Sequence, residues 1–194
     1  MKKADIISIL RKSNTVFSFK EILLASGEHN PALLSRRLSY YVKNGQLYGI
    51  RRGIYAKDKN YNRRELATKI FIPSYISFET VLAEAGMIFQ YYGQIFIASY
   101  QTKVIDCDGQ TFSFRKLKSN ILNDSSGIKN DGHYSIASKE RAFLDTVYLN
   151  KDYHFDNLSP LDWGKVFSIL PIYQNKSMAK KVNDYYNYFK SEKN

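Results

Sequence analysis

One pair of carboxylates has a spacing that suits metal-dependent chemistry. Asp106 and Asp108 are separated by a single residue, which would be compatible with a metal-dependent nuclease. No Glu-x-Lys pair follows on a nearby predicted strand, however, and Asp108 with Gly109 is equally well explained as the turn of a β-hairpin. We therefore interpret these residues as a turn and not as a catalytic site.

Other catalytic or metal-binding patterns are weak. A zinc site requires converging ligands at short spacing, whereas His29, His133 and Cys107 are scattered singly. The sequence contains no Gly-rich phosphate loop, kinase signature or nucleophile elbow. We therefore expect no enzymatic activity, no metal and no other cofactor.

Two acidic positions allow more than one interpretation. Glu140 with Arg141 would serve either as a catalytic or partner-contact couple or as a structural pair at the start of a helix, anchoring the strand before it. Glu79 has the same two interpretations. We favour the structural one in both cases. A pair between Arg141 and Asp145, four residues apart, would stabilise the helix by only roughly 0.2–0.5 kcal/mol if it were exposed.

The basic residues are concentrated in the first third of the chain. The net charge of the 194 residues is +11. Residues 1–64 contain 14 Lys and Arg against 4 Asp and Glu, so this segment alone has a net charge of +10, and residues 65–194 have a net charge of +1. This distribution indicates that the N-terminal segment binds a polyanion.

The helix signals in residues 1–64 are typical of a helix-turn-helix. Residues 4–12 form a short amphipathic pattern, and the Ser18–Glu21 spacing is a capping box for a second helix that Gly27 ends. Asn30 and Pro31 are favourable first residues for a third helix. That helix is expected to stop at residues 44–45.

A predicted hairpin after the third helix would complete a winged helix-turn-helix. Residues 47–50 and 54–56 are expected to form its strands, with a turn at residues 51–53. On the third helix Leu34, Leu38 and Tyr41 share the inward face, which leaves the opposite face for the major groove of double-stranded DNA. The predicted DNA-binding residues on this helix and hairpin are Arg36, Arg37, Ser39, Tyr40, Lys43, Arg51, Arg52 and Lys57.

Residues 65–194 have mixed helix and strand signals. Strands are expected at residues 94–98, 103–106, 111–117 and 132–136, and Ser77 and Ser138 are expected to cap helices. Two more helices are expected, one from Ser159 to about residue 170 and one over residues 176–189. The predicted fold class is α+β: a winged helix-turn-helix over 1–64, then a mixed α/β domain over 65–194 with a small antiparallel sheet and C-terminal helices.

The chain contains RRGIY at residues 51–55, YISFETVL at 75–82 and ASKERAFLD at 137–145. Together these three segments resemble the AbiEi family of antitoxins from abortive-infection, type IV toxin–antitoxin operons. Residues 51–55 (RRGIY) are similar to the glycine-aromatic wing of that family. Residues 75–82 (YISFETVL), with Gly86-Met87, resemble its YIS-x-E-S-A-L…GL segment. Residues 137–145 (ASKERAFLD) resemble its A-[ST]-P-E-R-A-L-L-D helix, with Lys139 in place of the usual proline. The motif residues in the second part are Ser77, Glu79, Ser138, Glu140, Arg141 and Asp145.

The resemblance implies a two-part function. The winged helix would repress its own operon at an operator of inverted repeats, and residues 65–194 would neutralise a nucleotidyltransferase-like toxin encoded beside it. Neutralisation by direct binding, by modification or by competition for the target all remain open. The alternatives are a stand-alone regulator whose C-terminal part senses a ligand or a protein, and a nucleic-acid-modifying enzyme.

The sequence gives no sign of a membrane partner. No apolar run approaches the 18 residues or so that a membrane span requires. The basic start of the chain is not followed by a signal-peptide core or by a small-residue cleavage site. We therefore expect a cytoplasmic protein.

Overall fold

The computed structural model describes residues 13–90 and 92–192. The helix predicted over residues 4–12 lies outside the described residues. The described part of the chain contains eight α-helices, one short 3₁₀-helix and two β-sheets, so the fold is mixed α+β.

The first sheet has three short strands and carries two helices. The elements follow the chain in the order β1 (Val16–Ser18), α1 (Phe19–Ser26), α2 (Pro31–Lys43), β2 (Tyr48–Arg51) and β3 (Ile54–Ala56). The strands are antiparallel in the order β1-β3-β2, with a bulge between Gly49 and Arg51. The helix signals in this segment are confirmed. The capping box is present, Gly27 ends α1 at a φ of 61°, and the Asn30 side chain accepts from the first amides of α2.

The second sheet is larger than the sequence suggested. Its strands are β4 (Ser74–Ile76), β5 (Gln94–Ser99), β6 (Lys103–Cys107), β7 (Gln110–Lys116), β8 (Ile128–Asn130) and β9 (Ser135–Ala137). They lie in the order β6-β7-β5-β4-β9-β8. The predicted small antiparallel sheet was wrong, because β5 pairs with β7 and β4 pairs with β9 in parallel. The predicted turn at Asp108-Gly109 is confirmed between β6 and β7.

Six further helices and the 3₁₀-helix complete the described fold. They are α3 (Arg63–Ile70), α4 (Glu79–Glu84), α5 (Ser119–Leu122), α6 (Lys139–Leu149), α7 (Trp163–Ile169), the 3₁₀-helix (Leu170–Tyr173) and α8 (Lys176–Glu192). The predicted start of a helix at Ser159 was wrong, because α7 begins at Trp163 behind Asp162, whose side chain accepts from Lys165 N.

The first sheet shares a hydrophobic cluster with the second. Val16, Ile54 and Ala56 of the first sheet pack with Leu66 and Ala67 of α3. The same cluster contains Ile97, Phe112 and Phe114 of the second sheet. The helix α3 and this cluster therefore join the two sheets, on either side of the domain boundary predicted at residue 64.

A buried carboxylate strengthens this junction. Glu65 of α3 is fully buried. One of its carboxylate oxygens accepts from Asn14 Nδ2 at 3.1 Å, and the other accepts from the backbone N and the hydroxyl of Thr15 at 2.8 and 2.7 Å. The carboxylate thus holds the residues that lead into β1, and three donors compensate for its burial.

None of the helices in the described ranges, 13–90 and 92–192, combines the length and the apolar character that crossing a bilayer requires.

The shared cluster predicts the effect of shortening one leucine. Leu66 has no exposed surface, so Leu66→Ala should lower the free energy of unfolding by about 2–5 kcal/mol through lost burial and a residual cavity. Leu24 is a matched control because its surface is 74% exposed, and Leu24→Ala should change that free energy by less than about 0.5 kcal/mol. Urea unfolding followed by circular dichroism measures both. Similar costs for the two variants would contradict the packing described.

Candidate functional site

The outer face of α2 presents the polar residues predicted from sequence. Leu34 and Leu38 are buried against Phe17, Ile22 and Leu47, and Tyr41 packs on the same cluster. The opposite side of the helix is solvent-exposed, and we call it the cationic face. It comprises Ala32, Arg36, Ser39, Tyr40 and Lys43.

Several side chains on or beside the cationic face already have internal contacts. Ser39 Oγ donates to the carbonyl of Ser35 at 2.9 Å. Arg37 lies on the flank, a third exposed, and its Nη1 is 3.1 Å from Glu28 Oε2. Arg36 and Lys43, in contrast, have no ion pair within 4 Å in the described part of the chain. These two cations of the cationic face are therefore available to an external anion.

The hairpin of β2 and β3 stands beside the C-terminal end of α2. A Cβ atom at Gly49 of β2 would lie 3.5 Å from Cγ1 of Val42, so strand and helix are in close contact there. Arg51 and Arg52 are exposed at the hairpin tip, and Lys57 is half-buried just after β3. Gly53 in the turn has a φ of 77°, which favours glycine. The structure thus brings the two predicted groups of cations onto neighbouring elements.

The motif residues of the second part lie mostly inside the protein. Arg141 and Asp145 of α6 have no exposed surface, and Arg141 Nε donates to Asp145 Oδ1 at 3.2 Å. Tyr173 donates to the same oxygen at 2.6 Å. Tyr75 and Ser77 donate to Asp145 Oδ2 at 3.0 and 2.8 Å. The pair is thus the centre of a buried network and not the exposed helix pair weighed in the sequence analysis.

The remaining donors of Arg141 hold a loop against α6. Its Nη1 donates to the carbonyl of Ser126 at 2.7 Å, and its Nη2 donates to the carbonyl of Ile121 at 2.6 Å and to Tyr75 at 3.0 Å. Gly127 closes this contact at a φ of 72°, and a Cβ atom there would come within 2.9 Å of Arg141 Cβ. Only glycine fits this close approach.

Burial changes the pKa values of the ionisable groups in this network. It raises the pKa of Tyr75 and of Tyr173 well above the ordinary value for a phenol, so both hydroxyls stay protonated and can donate. Burial also raises the pKa of Asp145, and Arg141 with the three hydroxyl donors opposes that rise. We infer that the carboxylate is ionised, because four donors converge on it.

The other motif residues have separate structural contacts. Ser77 was expected to cap a helix, and this was wrong, because Phe78 is the residue that precedes α4 and the Ser77 hydroxyl donates to Asp145 instead. Ser138 does cap α6, since its Oγ accepts from Arg141 N at 3.2 Å. Glu140 is 3% exposed and accepts from Asp162 N at 3.3 Å.

Glu79, which is buried, pairs with a half-buried arginine that the sequence analysis did not identify. Arg115 Nη1 lies 3.0 Å from Glu79 Oε1 and 2.9 Å from Oε2. The Arg115 guanidinium also lies over the rings of Phe78 and Phe96, 5.0 and 4.5 Å from their centres. Arg115 is 36 residues from Glu79, and no local spacing in the sequence signals such a contact.

The two aspartates weighed as a nuclease site have different hydrogen-bond partners. Asp106 Oδ1 accepts from the Thr111 hydroxyl at 2.6 Å, across the β6–β7 pair. Asp108 accepts from Tyr48, Tyr61 and Arg63. Among the residues that the structure describes, no three His, Cys, Asp or Glu side chains form a group that could hold a metal ion.

Comparisons with known proteins add no assignment. No model of a known protein family matches the chain, and no curated protein matches it.

The buried network predicts a characteristic pattern of unfolding energies. Arg141→Met leaves the Asp145 charge buried without its ion-pair partner, and Asp145→Leu leaves the Arg141 charge in the same condition. Each single change should lower the free energy of unfolding by about 3–5 kcal/mol. The double variant should cost clearly less than the sum, because it buries no unpaired charge.

Chemical denaturation of all three variants tests this coupling, and Tyr173→Phe is the milder control. That control removes one donor to a charged group and should cost about 1–3 kcal/mol. Strictly additive losses for Arg141→Met and Asp145→Leu would count against the network.

Proposed function

We propose that the N-terminal part of this protein binds double-stranded DNA as a winged helix-turn-helix, with α2 in the major groove and the β2–β3 hairpin as the wing. The observation that carries the proposal is the cationic face of α2 beside the exposed hairpin tip. Arg36, Ser39, Tyr40 and Lys43 are exposed on the helix, and Arg51 and Arg52 are exposed on the hairpin.

The topology around α2 supports the same proposal. A winged helix has a short strand before its second helix, and that strand pairs with the wing that follows the third helix. Here β1 precedes α1 and pairs with β3, and the hairpin follows α2 directly. The first helix of such a domain would fall in residues 4–12, which lie outside the described part of the chain.

The charge distribution supports DNA as the polyanion. The net charge of +10 in residues 1–64 favours phosphate contacts, which supply most of the sequence-independent affinity for DNA. Arginine on an exposed helix face can also donate two hydrogen bonds to a guanine edge. An exposed helix face next to a basic hairpin suits double-stranded DNA, because the helix can enter the major groove while the hairpin contacts the phosphate backbone.

We propose for the whole chain the role that the resemblance implies, a cytoplasmic antitoxin and autorepressor without enzymatic activity. The three motifs occur in the family's order along the chain. The motif residues Arg141 and Asp145 are buried, so their role in this proposal is to build the second part of the protein. Contact with a toxin, if neutralisation is direct, would involve exposed residues around them.

Paired arginine variants separate base reading from positioning. Arg36 is on the cationic face, so Arg36→Ala should lose about 1–3 kcal/mol of binding to the operator and much less to a scrambled duplex. Arg52 is at the hairpin tip, so Arg52→Ala should weaken both duplexes by similar factors, because phosphates carry little sequence information. Titration of each variant at one fixed salt concentration gives the four affinities.

The two duplexes are the region upstream of the protein's own operon and a shuffled sequence of the same composition. If Arg36→Ala loses the same binding free energy on both duplexes, Arg36 does not read bases, and Ser39, Tyr40 or Lys43 would have that role. If the unmodified chain binds neither duplex, the DNA-binding proposal fails.

Coexpression tests the antitoxin proposal separately. The chain should restore growth to cells arrested by the gene encoded beside it, and Arg36→Ala with Arg51→Ala should relieve repression of the operon while leaving rescue intact. A reporter fused to the promoter and colony counts measure the two effects. Repression without rescue would favour the stand-alone regulator.

A further inference from the structure

The turn between β6 and β7 of the second sheet is hydrogen-bonded to the N-terminal hairpin. Oδ1 of Asp108 accepts from the Tyr48 hydroxyl at 3.0 Å, and Oδ2 accepts from the Tyr61 hydroxyl at 2.9 Å and from Arg63 Nη1 at 3.1 Å. Asp108 has a φ of 54° and Gly109 a φ of 75°, which fixes the tight turn between the paired residues Cys107 and Gln110. One carboxylate therefore binds three donors from the N-terminal part.

The three donors belong to different segments. Tyr48 lies on β2 of the hairpin, Tyr61 lies on the segment that leads into α3, and Arg63 is the first residue of α3. The rings of Tyr48 and Tyr61 are stacked, with centres 6.2 Å apart. Their two hydroxyls donate to different oxygens of one carboxylate, and the Tyr61 hydroxyl also accepts from Arg63 Nη1.

The strand β2 has less support than its neighbour. Pairing with β1 and β2 holds β3 on both sides, whereas β2 is the outer strand and its ladder is broken by the bulge between Gly49 and Arg51. Tyr48 and Ile50 of β2 pack against the cluster that contains Phe112 of the second sheet. Among the described residues, the polar contacts from β2 to that sheet are the Tyr48 bond to Asp108 and a contact of 3.9 Å from Cys107 Sγ to the Ile50 carbonyl.

Arg51 lies at the end of this strand, close to the same turn. Burial raises the pKa of the Cys107 thiol, and the nearby positive charge of Arg51 opposes that rise. The side chain of Arg51 is exposed. A shift of β2 relative to the second sheet would therefore move this cation directly.

We propose that Asp108 is a positioning residue for the wing, which by holding Tyr48 fixes β2 and thereby orients Arg51 toward a DNA phosphate. The proposal rests on the DNA-binding function proposed above. It makes the second sheet part of the DNA-binding surface, because a residue 57 positions beyond Arg51 sets the direction of that side chain. A partner that displaced the β6–β7 turn would weaken DNA binding without touching DNA.

The matched test uses the two tyrosines that donate to the same carboxylate. Tyr48→Phe removes the bond to the wing, and Tyr61→Phe removes the equivalent bond to the linking segment. The probe is a fluorescent duplex of mixed sequence, about three helical turns long, and the measurement is its anisotropy at fixed salt. Tyr48→Phe should weaken binding about threefold to tenfold, and Tyr61→Phe less than about twofold.

A double-mutant cycle provides a readout that a purely structural role would not change. Arg51→Ala should cost much less affinity in the Tyr48→Phe background than in the original chain, because Arg51 is then no longer oriented toward a DNA phosphate. Its cost should be unchanged in the Tyr61→Phe background. Arg36→Ala is remote from the turn, so its cost should simply add to that of Tyr48→Phe.

Asp108→Gly is the second variant, because glycine removes the carboxylate that accepts from Tyr48 and adopts a positive φ without strain. It should reproduce the Arg51 coupling of Tyr48→Phe. If the original chain binds the duplex but the affinity loss of Arg51→Ala simply adds to that of each of these two variants, the positioning role is wrong and the DNA-binding function stands. Failure of the original chain to bind any duplex would overturn the DNA-binding function, and the positioning role with it.

Discussion

The buried guanidinium of Arg141 is the constraint on which the second part of the structure depends. A charge removed from water must find partners for its donors. Arg141 finds them in Asp145 of its own helix, in Tyr75 of β4, and in the carbonyls of Ile121 in α5 and Ser126 in the loop before β8. Asp145 in turn recruits Tyr173 from the 3₁₀-helix. Two charges thus fix the relative positions of helix, sheet, loop and C-terminal segment, and the loop must contain glycine at 127 to come close enough.

A second constraint joins the N-terminal elements to the sheet behind them. Leu34 and Leu38 of α2 belong to a cluster made of N-terminal residues alone, but Val16 and Ala56 share a second cluster with Phe112 and Phe114 of the larger sheet. Glu65 adds three hydrogen bonds to residues before β1, and Asp108 adds three from the opposite side. The small sheet that supports α2 is therefore attached to the second sheet by apolar packing and by hydrogen bonds. A rigid support of this kind suits a surface that has to match the spacing of a duplex.

Local signals in the sequence were sufficient for α1, for α2 and for the buried and exposed faces of α2. The Ser18 capping box, the Asn30 cap and the Leu34–Leu38 spacing all depend on neighbours within a few residues. The mixed sheet was not predictable in the same way, because β4 is three residues long and its parallel partner β9 begins 59 positions after β4 ends.

The network around Asp145 shows the same limit. Its pair with Arg141 has helical spacing, but Tyr173 and Ser77 reach it only through the fold. Ser77 looked like a helix cap because its type and position suit one, and tertiary contact overrode that preference.

The shared cluster also has a consequence for synthesis on the ribosome. Val16, Ile54 and Ala56 emerge early, but Ile97, Phe112 and Phe114, which cover them, are translated about 40 to 100 positions later. Until then the nascent chain exposes apolar surface on a strongly basic segment, next to a ribosome made largely of RNA. Completion of the second sheet is thus the event that covers this apolar surface of the basic segment.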